Sequence, residues 1–235
     1  MKKLLADVIS QEININPTAY QLAMAEQYLQ AVWQANDYLN LTSARTQEEL
    51  IFKHFIDSLY LIKYYKPEPE TTLLDLGTGA GFPGVPLKIF LEDMELYFVD
   101  AVRRKINFLK YTMHEMKLGG TFCLHARAED LGNNLQYRER LMWVVTRALG
   151  DLELNLELGM PLLKVGGNLV LYKGPKGEKE LQEGAESISH FGGEIKEEIE
   201  YLLPGGEQRR LFIIKKRGNT PGKYPRKKKK SKHKG

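Results

Sequence analysis

The chain has 235 residues, which suits one α/β domain with a substantial core and an extension. Its single cysteine, Cys123, excludes an internal disulfide bond and argues against a metal site built from thiolates. No apolar run approaches the length of a membrane span, and polar residues interrupt the first twelve positions, so we expect neither an anchor nor a signal peptide.

The net charge of +4 hides an uneven distribution. Of the 34 Lys and Arg, 11 lie from Lys215 onward, where there is no Asp or Glu, so the rest of the chain carries 23 basic against 30 acidic residues. Such a basic terminal block is expected to be disordered when free and to contact nucleic acid phosphates. A terminus that only improves solubility is the alternative.

Two helices are predicted ahead of residue 68. Asn16 is expected to cap the first one, with Pro17 at its first position and apolar residues following at steps of three and four. The second is expected to begin after a capping Thr46. His54 and Asp57 lie three residues apart on that helix, so they either pair with each other or face a ligand.

A glycine-rich stretch, T-L-L-D-L-G-T-G-A-G-F-P-G, occupies residues 72–84. Its apolar half predicts a buried strand, and the glycines from Gly77 and Gly79 onward predict a tight turn whose backbone is open to a ligand. The next apolar run ends at Asp100, where an acid is placed to accept both ribose hydroxyls of a nucleoside cofactor. The stretch therefore predicts a nucleotide-type cofactor site.

Two classes of cofactor compete for this turn. The last three glycines have the dinucleotide spacing G-x-G-x-x-G, with Asp100 near the expected offset. The same stretch fits D-x-G-x-G-x-G, the first motif of S-adenosylmethionine methyltransferases, in which Asp75 would lie near the methionine ammonium. We favour the methyltransferase, because Pro83 and Pro86 remove N–H groups that a pyrophosphate would use. A turn without any ligand is a third interpretation.

Alternating apolar runs and helical patterns continue to the C-terminus. Further strands are predicted at residues 96–99, 121–124, 141–145, 167–172, 194–202 and 209–216. This alternation predicts a mainly parallel sheet with helices on both faces, and the last two strands predict an antiparallel hairpin. The predicted fold class is α/β, a Rossmann-like class I methyltransferase with a seven-stranded, mostly parallel sheet.

In such a sheet, ligands bind beyond the carboxyl ends of the strands. That rule brings together Gly77, Gly79 and Phe82 of the first loop, Asp100 after strand two, Ala128 and Glu129 after strand three, and Arg147 and Lys173 after strands four and five. Ala128 and Glu129 would address the adenine, whereas Arg147 and Lys173 would face the acceptor. A surface ion pair is the alternative for Glu129 and Arg147.

The absence of two motifs excludes two classes of methyl transfer. Amino-group methylation of bases goes with an Asn/Asp-Pro-Pro-aromatic turn after strand four, where this chain reads Thr146-Arg147-Ala148-Leu149. Methylation of a pyrimidine carbon needs a cysteine nucleophile, and Cys123 is expected in the core. An atom with a free lone pair, such as guanine N7, needs only alignment with the methyl donor. We therefore predict no catalytic base and no metal.

The sequence resembles the RsmG (GidB) family of bacterial small-subunit ribosomal RNA guanine-N7 methyltransferases. The resemblance covers nearly the whole chain, and the Phe-Pro-Gly that follows the glycines is far more specific than the glycines alone. The motifs that carry it are Asn40-Leu41-Thr42, His54-Phe55-Ile56-Asp57-Ser58-Leu59, the stretch 75–84, Val99-Asp100, Arg104-Lys105-Ile106-Asn107-Phe108-Leu109, Arg127-Ala128-Glu129, Thr146-Arg147-Ala148, Lys173-Gly174 and the tail at residues 219–227.

This resemblance implies S-adenosylmethionine as cofactor, with contacts from Gly77, Phe82, Ala128, Glu129 and Arg147, and one guanine of 16S ribosomal RNA as acceptor. The partner would be 16S RNA or the small-subunit ribonucleoprotein, bound by a cytoplasmic monomer. We divide the chain into a helical extension (residues 1–68), the methyltransferase domain (69–217) and a basic, disordered tail (218–235). Three alternatives stay open: a nicotinamide dehydrogenase, a methyltransferase for small molecules, and a non-catalytic RNA-binding module.

Overall fold

The computed structural model describes residues 1–227, and seven strands in this part of the chain form one sheet. The strands are β1 Thr72–Leu76, β2 Glu95–Asp100, β3 Thr121–His125, β4 Leu141–Arg147, β5 Leu163–Lys173, β6 Gly193–Leu202 and β7 Gln208–Lys216. Their order is β3-β2-β1-β4-β5-β7-β6, with β7 antiparallel to both of its neighbours and the other pairs parallel. The predicted mostly parallel sheet and its closing hairpin are confirmed.

Helices cover both faces of the sheet. They are α1 Lys2–Val8, α2 Ala19–Leu39, α3 Gln47–Leu50, α4 Asp57–Tyr64, α5 Gly84–Phe90, α6 Arg103–Glu115, α7 Ala128–Gly132, α8 Leu152–Gly159 and α9 Gly177–His190. A π-helical turn, Ile9–Ile13, extends α1, and a second one, Ile51–Ile56, joins α3 to α4. The helix α1 was not predicted, because no capping side chain marks its start.

The start of α2 differs from the prediction by two residues. Thr18, not Asn16, is the cap: its hydroxyl accepts from the backbone N–H of Gln21, and the Gln21 side chain accepts from the N–H of Thr18. This reciprocal pair satisfies two free donors at once, which a lone Asn16 does not achieve. The predicted cap at Thr46 is confirmed, since its hydroxyl accepts from the N–H of Glu49 at 3.1 Å.

The N-terminal helices share a core with one face of the sheet. Leu5 of α1, Phe55 ahead of α4 and Phe98 of β2 are completely buried in one continuous apolar cluster. A second cluster fills the opposite face, between the sheet and the helices α7, α8 and α9. The division of the chain at residues 68 and 217 stays a prediction.

The tail departs from the expectation of disorder over residues 218–227. Thr220 and Pro225 are buried, the Tyr224 ring lies 4.7 Å from that of Phe191, and Arg226 pairs with Glu157 of α8. The composition of the tail did not indicate these contacts, because they come from a few residues that lie among turn-forming residues and cations. The predicted disorder of residues 228–235 lies outside the described residues.

Within residues 1–227, none of the helices combines the length and the apolar character that crossing a bilayer requires.

Candidate active site

The glycine turn after β1 is fixed by backbone contacts to β2. Gly77 and Gly79 have φ angles of 74° and 60°, a left-handed conformation that favours glycine. The N–H groups of Gly77 and Thr78 both donate to the carbonyl of Val99, at 2.9 and 3.0 Å. A Cβ on Gly77 would lie 2.7 Å from Cδ1 of Leu149, so the loop after β4 packs directly on this turn.

Asp75 stabilises the turn through two hydrogen bonds. Its Oδ2 accepts from the Thr78 hydroxyl at 2.7 Å and from the N–H of Gly84 at 2.9 Å, which ties the end of β1 to the start of α5. Burial raises the pKa of this carboxyl to about 6. Its Oδ1 is buried without a partner among the described residues. The side chain lines neither of the cavities described below, so contact with a methionine ammonium stays a prediction.

Asp100 is held rigidly at the end of β2. Oδ2 accepts from the N–H of Gly79 at 3.0 Å, and Oδ1 accepts from the N–H of Val102 at 2.8 Å. The carboxylate therefore links the glycine turn to the start of α6. Each oxygen keeps a free lone pair with which to accept from a ligand hydroxyl.

A cavity of about 260 Å³, here called the first cavity, opens at the ends of β1, β2 and β3. Its lining comprises Leu76, Gly77, Val99, Asp100, Ala101, Ala126, Arg127, Ala128, Glu129, Leu149, Leu154 and Leu158. The carboxylate at a strand end, the apolar walls and the backbone of Ala128 at the start of α7 suit a nucleoside, with the sugar hydroxyls at Asp100 and the base between leucines. Four predicted site residues, Gly77, Asp100, Ala128 and Glu129, thus come together.

A second cavity of about 360 Å³ opens at the ends of β4 and β5. It is lined by Lys53, His54, Asp57, Thr146, Arg147, Ala148, Gly150, Asn155, Tyr172, Lys173, Gly174, Glu180 and Arg209. The predicted residues Arg147 and Lys173 both line it. The loop Ala148–Leu149–Gly150 lies between the two cavities, because Leu149 lines the first and its two neighbours line the second.

Arg147 is the most connected side chain of the second cavity. Its Nη1 donates to Oδ2 of Asp57 at 3.2 Å, and its Nη2 donates to Nδ1 of His54 at 3.0 Å. Its guanidinium also lies over the Phe82 ring, 5.2 Å from the centroid. Phe82 itself is 5% exposed and lines neither cavity. His54 and Asp57 are thus joined through Arg147 instead of pairing with each other, and the surface ion pair suggested as an alternative for Arg147 is replaced by a buried one.

His54 is neutral in this arrangement. Burial, followed by the charge of Arg147, lowers the pKa of the imidazole to about 3. Since Nδ1 accepts from Arg147, the proton must reside on Nε2, which lies 2.8 Å from the Thr42 hydroxyl oxygen and donates to it. Two motifs that are distant in sequence, Asn40-Leu41-Thr42 and the helix carrying His54, are therefore connected at the site.

Asp57 is the centre of this network, and two of its partners were missed from the sequence. Tyr201 donates its hydroxyl to Oδ1 at 2.7 Å, and Nε of Arg209 lies 3.9 Å from the same oxygen. Burial raises the pKa of the carboxyl, although Arg147 opposes the shift. The signal for Arg209 was its position: β7 runs antiparallel, so its first residues lie at the edge where β4 and β5 end.

Lys173 closes the other side of the second cavity. Its Nζ donates to Oε2 of Glu180 and to the carbonyl of Gly150, each at 2.7 Å. The second contact ties the end of β5 to the loop that separates the cavities. Among residues 1–227 there is no group of three or more His, Cys, Asp and Glu that could hold a metal ion.

Solved structures assign the fold class. TrmN from Thermus thermophilus superposes with a TM-score of 0.55 over 69% of this chain and 48% of its own, at 17% identity. A SAM-dependent methyltransferase from Aquifex aeolicus gives 0.53 over 71% of this chain and 92% of its own, at 18% identity. The chain accordingly shares the Rossmann-like fold of these methyltransferases.

Sequence comparison then defines the family. The family model GidB, rRNA small subunit methyltransferase G, matches residues 21–209, and the chain belongs to this family. The ribosomal RNA small subunit methyltransferase G of Alkaliphilus oremlandii is 39% identical over 93% of this chain and 92% of its own length. That of Leuconostoc mesenteroides is 37% identical over 90% of each. The family expected from the motifs is confirmed.

Proposed function

We propose that the protein transfers the methyl group of S-adenosylmethionine to N7 of a guanine in 16S ribosomal RNA. Family membership supports an enzyme that methylates small-subunit ribosomal RNA. The observation that carries the proposal is the pair of cavities on the two sides of Leu149, one suited to a nucleoside and the other lined by cations.

The first cavity fits the adenosine part of the donor. Asp100 would accept from the ribose hydroxyls, while the backbone of Ala128 and the carboxylate of Glu129 would address the adenine. Gly77 lines this cavity without adding a side chain of its own beside the ribose, and Gly79 holds the Asp100 carboxylate through its N–H. When bound, S-adenosylmethionine supplies an electrophilic methyl group on a positively charged sulfur.

The second cavity would receive the acceptor base. Guanine N7 has an in-plane lone pair and no proton, so no side chain has to act as a base. The protein has only to align N7 with the methyl group of the donor. The side chains available for this are held in place by hydrogen bonds: Arg147 is bonded to Asp57 and His54, and Lys173 is bonded to Glu180. A guanine reaches such a cavity only when it is unstacked from its neighbours, as in a single-stranded loop.

Cations outside the cavities supply the contact to RNA phosphates. Arg103, Arg104 and Lys110 are exposed on α6, whose first turn follows Asp100 directly. Together with the basic tail, they offset the acidic body of the chain. Affinity for RNA should therefore fall as salt is added, by close to one log unit per log unit of salt for each phosphate contact.

The remaining partner assignments follow from this chemistry. We infer that the substrate is 16S RNA or the assembled small subunit and that the protein acts in the cytoplasm. One chain contains both cavities and all the residues assigned to them, which supports a monomer. Sedimentation at working concentration tests the oligomeric state.

The test is transfer of labelled methyl groups to RNA from cells that lack the protein. We expect label in small-subunit RNA only, at one guanine that becomes sensitive to the borohydride and aniline cleavage specific for N7-methylguanosine. RNA from wild-type cells, in which that position is already methylated, is the matched control and should take up no label. Label in large-subunit RNA, at another atom or in small molecules alone contradicts the proposal.

A further inference from the structure

The C-terminal segment Gly218–Arg226, here called the strap, contacts Gly132 of α7, Asn133 just after it, and Glu157 of α8. The two helices beneath it, α7 and α8, contribute Ala128, Glu129, Leu154 and Leu158 to the cavity lining. The strap therefore contacts the same two helices as the methyl donor would, through residues that do not line the cavity.

The contact with α8 is a charge-assisted clamp. Nε of Arg226 donates to both carboxylate oxygens of Glu157, at 3.1 and 2.9 Å, and the backbone N–H of Arg226 donates to Oε1 at 2.7 Å. Glu157 is 4% exposed, and these bonds lower the pKa of its carboxyl. The neighbouring residue Leu158 lines the first cavity, so the clamp sits one residue from the pocket wall.

The contact with α7 runs through Asn133. Its Nδ2 donates to the carbonyl of Glu129 at 2.8 Å and to the carbonyl of Pro225 at 3.0 Å. The Pro225 ring packs on Gly132 so closely that a Cβ on that glycine would lie 2.8 Å from it. Glu129, which is expected to contact the adenine, is thus linked to the strap through the side chain of Asn133.

The strap is also anchored at its beginning. Nζ of Lys216, which is completely buried, donates to the Thr220 hydroxyl at 2.8 Å and to the carbonyl of Met160 at 2.7 Å. Arg138, on the segment after α7, donates to the carbonyls of Thr220 and Tyr224, at 3.2 and 2.7 Å. The strap is thus held near its start, at Tyr224 and at Arg226, so it can act as a brace between the elements that it contacts.

We propose that the strap is a positioning element for the cofactor: through Arg226–Glu157 and Asn133 it holds α7 and α8 in the arrangement that binds S-adenosylmethionine. The tail then has two separable parts, a brace as far as Arg226 and a basic arm beyond it that serves RNA. This inference rests on the proposed function, because it assigns the first cavity to that donor.

The test uses Arg226→Ala in the full-length chain, with Lys227→Ala as the matched control that removes one positive charge from the next residue. Calorimetry should show affinity for S-adenosylmethionine reduced about three- to tenfold in Arg226→Ala and unchanged in Lys227→Ala. In steady-state assays, KM for the donor should rise in Arg226→Ala while kcat and KM for RNA stay constant. General destabilisation would not produce that split.

Two truncations separate the parts of the tail. Ending the chain after Lys227 should leave donor affinity unchanged and flatten the salt dependence of RNA binding, whereas ending it after Arg217 should also weaken donor binding. Wild-type donor affinity in Arg226→Ala overturns the inference and leaves the proposed function intact. If the wild-type protein itself does not bind S-adenosylmethionine, the proposed function and this inference both fail.

Discussion

Arg147 and Asp57 lie 90 residues apart in the chain, yet Nη1 of the arginine donates to Oδ2 of the aspartate at 3.2 Å. The pair joins the end of β4 to the first turn of α4 and is almost fully shielded from water, with side-chain exposures of 14% and 3%. It fixes the cation of the second cavity in one place. The N-terminal helices are therefore part of the candidate active site.

Replacing Arg147 by lysine should lower methyl transfer at least tenfold while the protein stays folded. A lysine keeps the charge, but it cannot contact Asp57, His54 and the face of Phe82 at the same time. Steady-state rates for Arg147→Lys measure the effect. Lys179→Arg, a change on the exposed side of α9 that lines neither cavity, is the control and should stay close to wild type. Equal rates for Arg147→Lys and wild type would remove Arg147 from the mechanism.

Asp57→Ala should destabilise the fold by about 3–5 kcal/mol, because it leaves Arg147 and the Tyr201 hydroxyl buried without their partner. Asp57→Asn keeps the shape of the side chain and one acceptor oxygen, so it should lower the free energy of unfolding by less. Urea unfolding of the two variants gives both values. A loss below about 1 kcal/mol in Asp57→Ala would show that solvent reaches this pair.

The stability of the protein should depend on His54 below neutral pH. Its pKa is lowered to about 3 in the fold against an ordinary 6.5, so the unfolded chain binds the proton more readily and stability is lost as the pH falls below 6.5. At pH 5 this amounts to about 2 kcal/mol. In the fold the imidazole faces Arg147, Arg209, Lys53 and Glu49, and burial together with the three cations keeps it neutral. The raised pKa of Asp57 acts in the opposite direction and remains in the variant.

The measurement is urea unfolding at pH 7.5 and pH 5 for wild type and His54→Gln. Between pH 7.5 and pH 5, the free energy of unfolding should fall by about 2 kcal/mol less in the variant than in wild type. An identical pH dependence in the two proteins would mean that folding leaves the pKa of His54 unchanged.

Gly77→Ala should weaken donor binding through Leu149. A Cβ there meets Leu149 Cδ1 at 2.7 Å, and the side chain that must move also lines the first cavity. Combining it with Leu149→Ala removes the collision, so the double variant should be less impaired than the sum of the two single changes. Strict additivity of the losses in affinity would show that the two residues do not interact.

The sheet and the first cavity were predictable from sequence because their signals are local. Each strand is a continuous apolar run, and the residues that line the first cavity follow directly after strands. Asp100 and Ala128 were found in this way.

The network around Asp57 was not predictable from local patterns, because it combines α4, β4, β6 and β7, which meet only in the folded sheet. Tyr201 and Arg209 carry no local signal of a site, and their contribution arises from the insertion of β7 between β5 and β6. The strap was missed for a related reason. The contacts of Arg226 and Pro225 lie 69 and 92 residues away in the chain, and nothing in the composition of the tail indicates them.

The most direct test of the account is calorimetric titration of the wild-type protein and of Asp100→Ala with S-adenosylmethionine, each repeated in the presence of NAD. Asp93→Ala, on the turn before β2, serves as the matched control. We predict donor binding to wild type and to the control that NAD does not displace, and affinity at least tenfold weaker in Asp100→Ala. Wild-type affinity in Asp100→Ala, or displacement of the donor by NAD, would contradict the account.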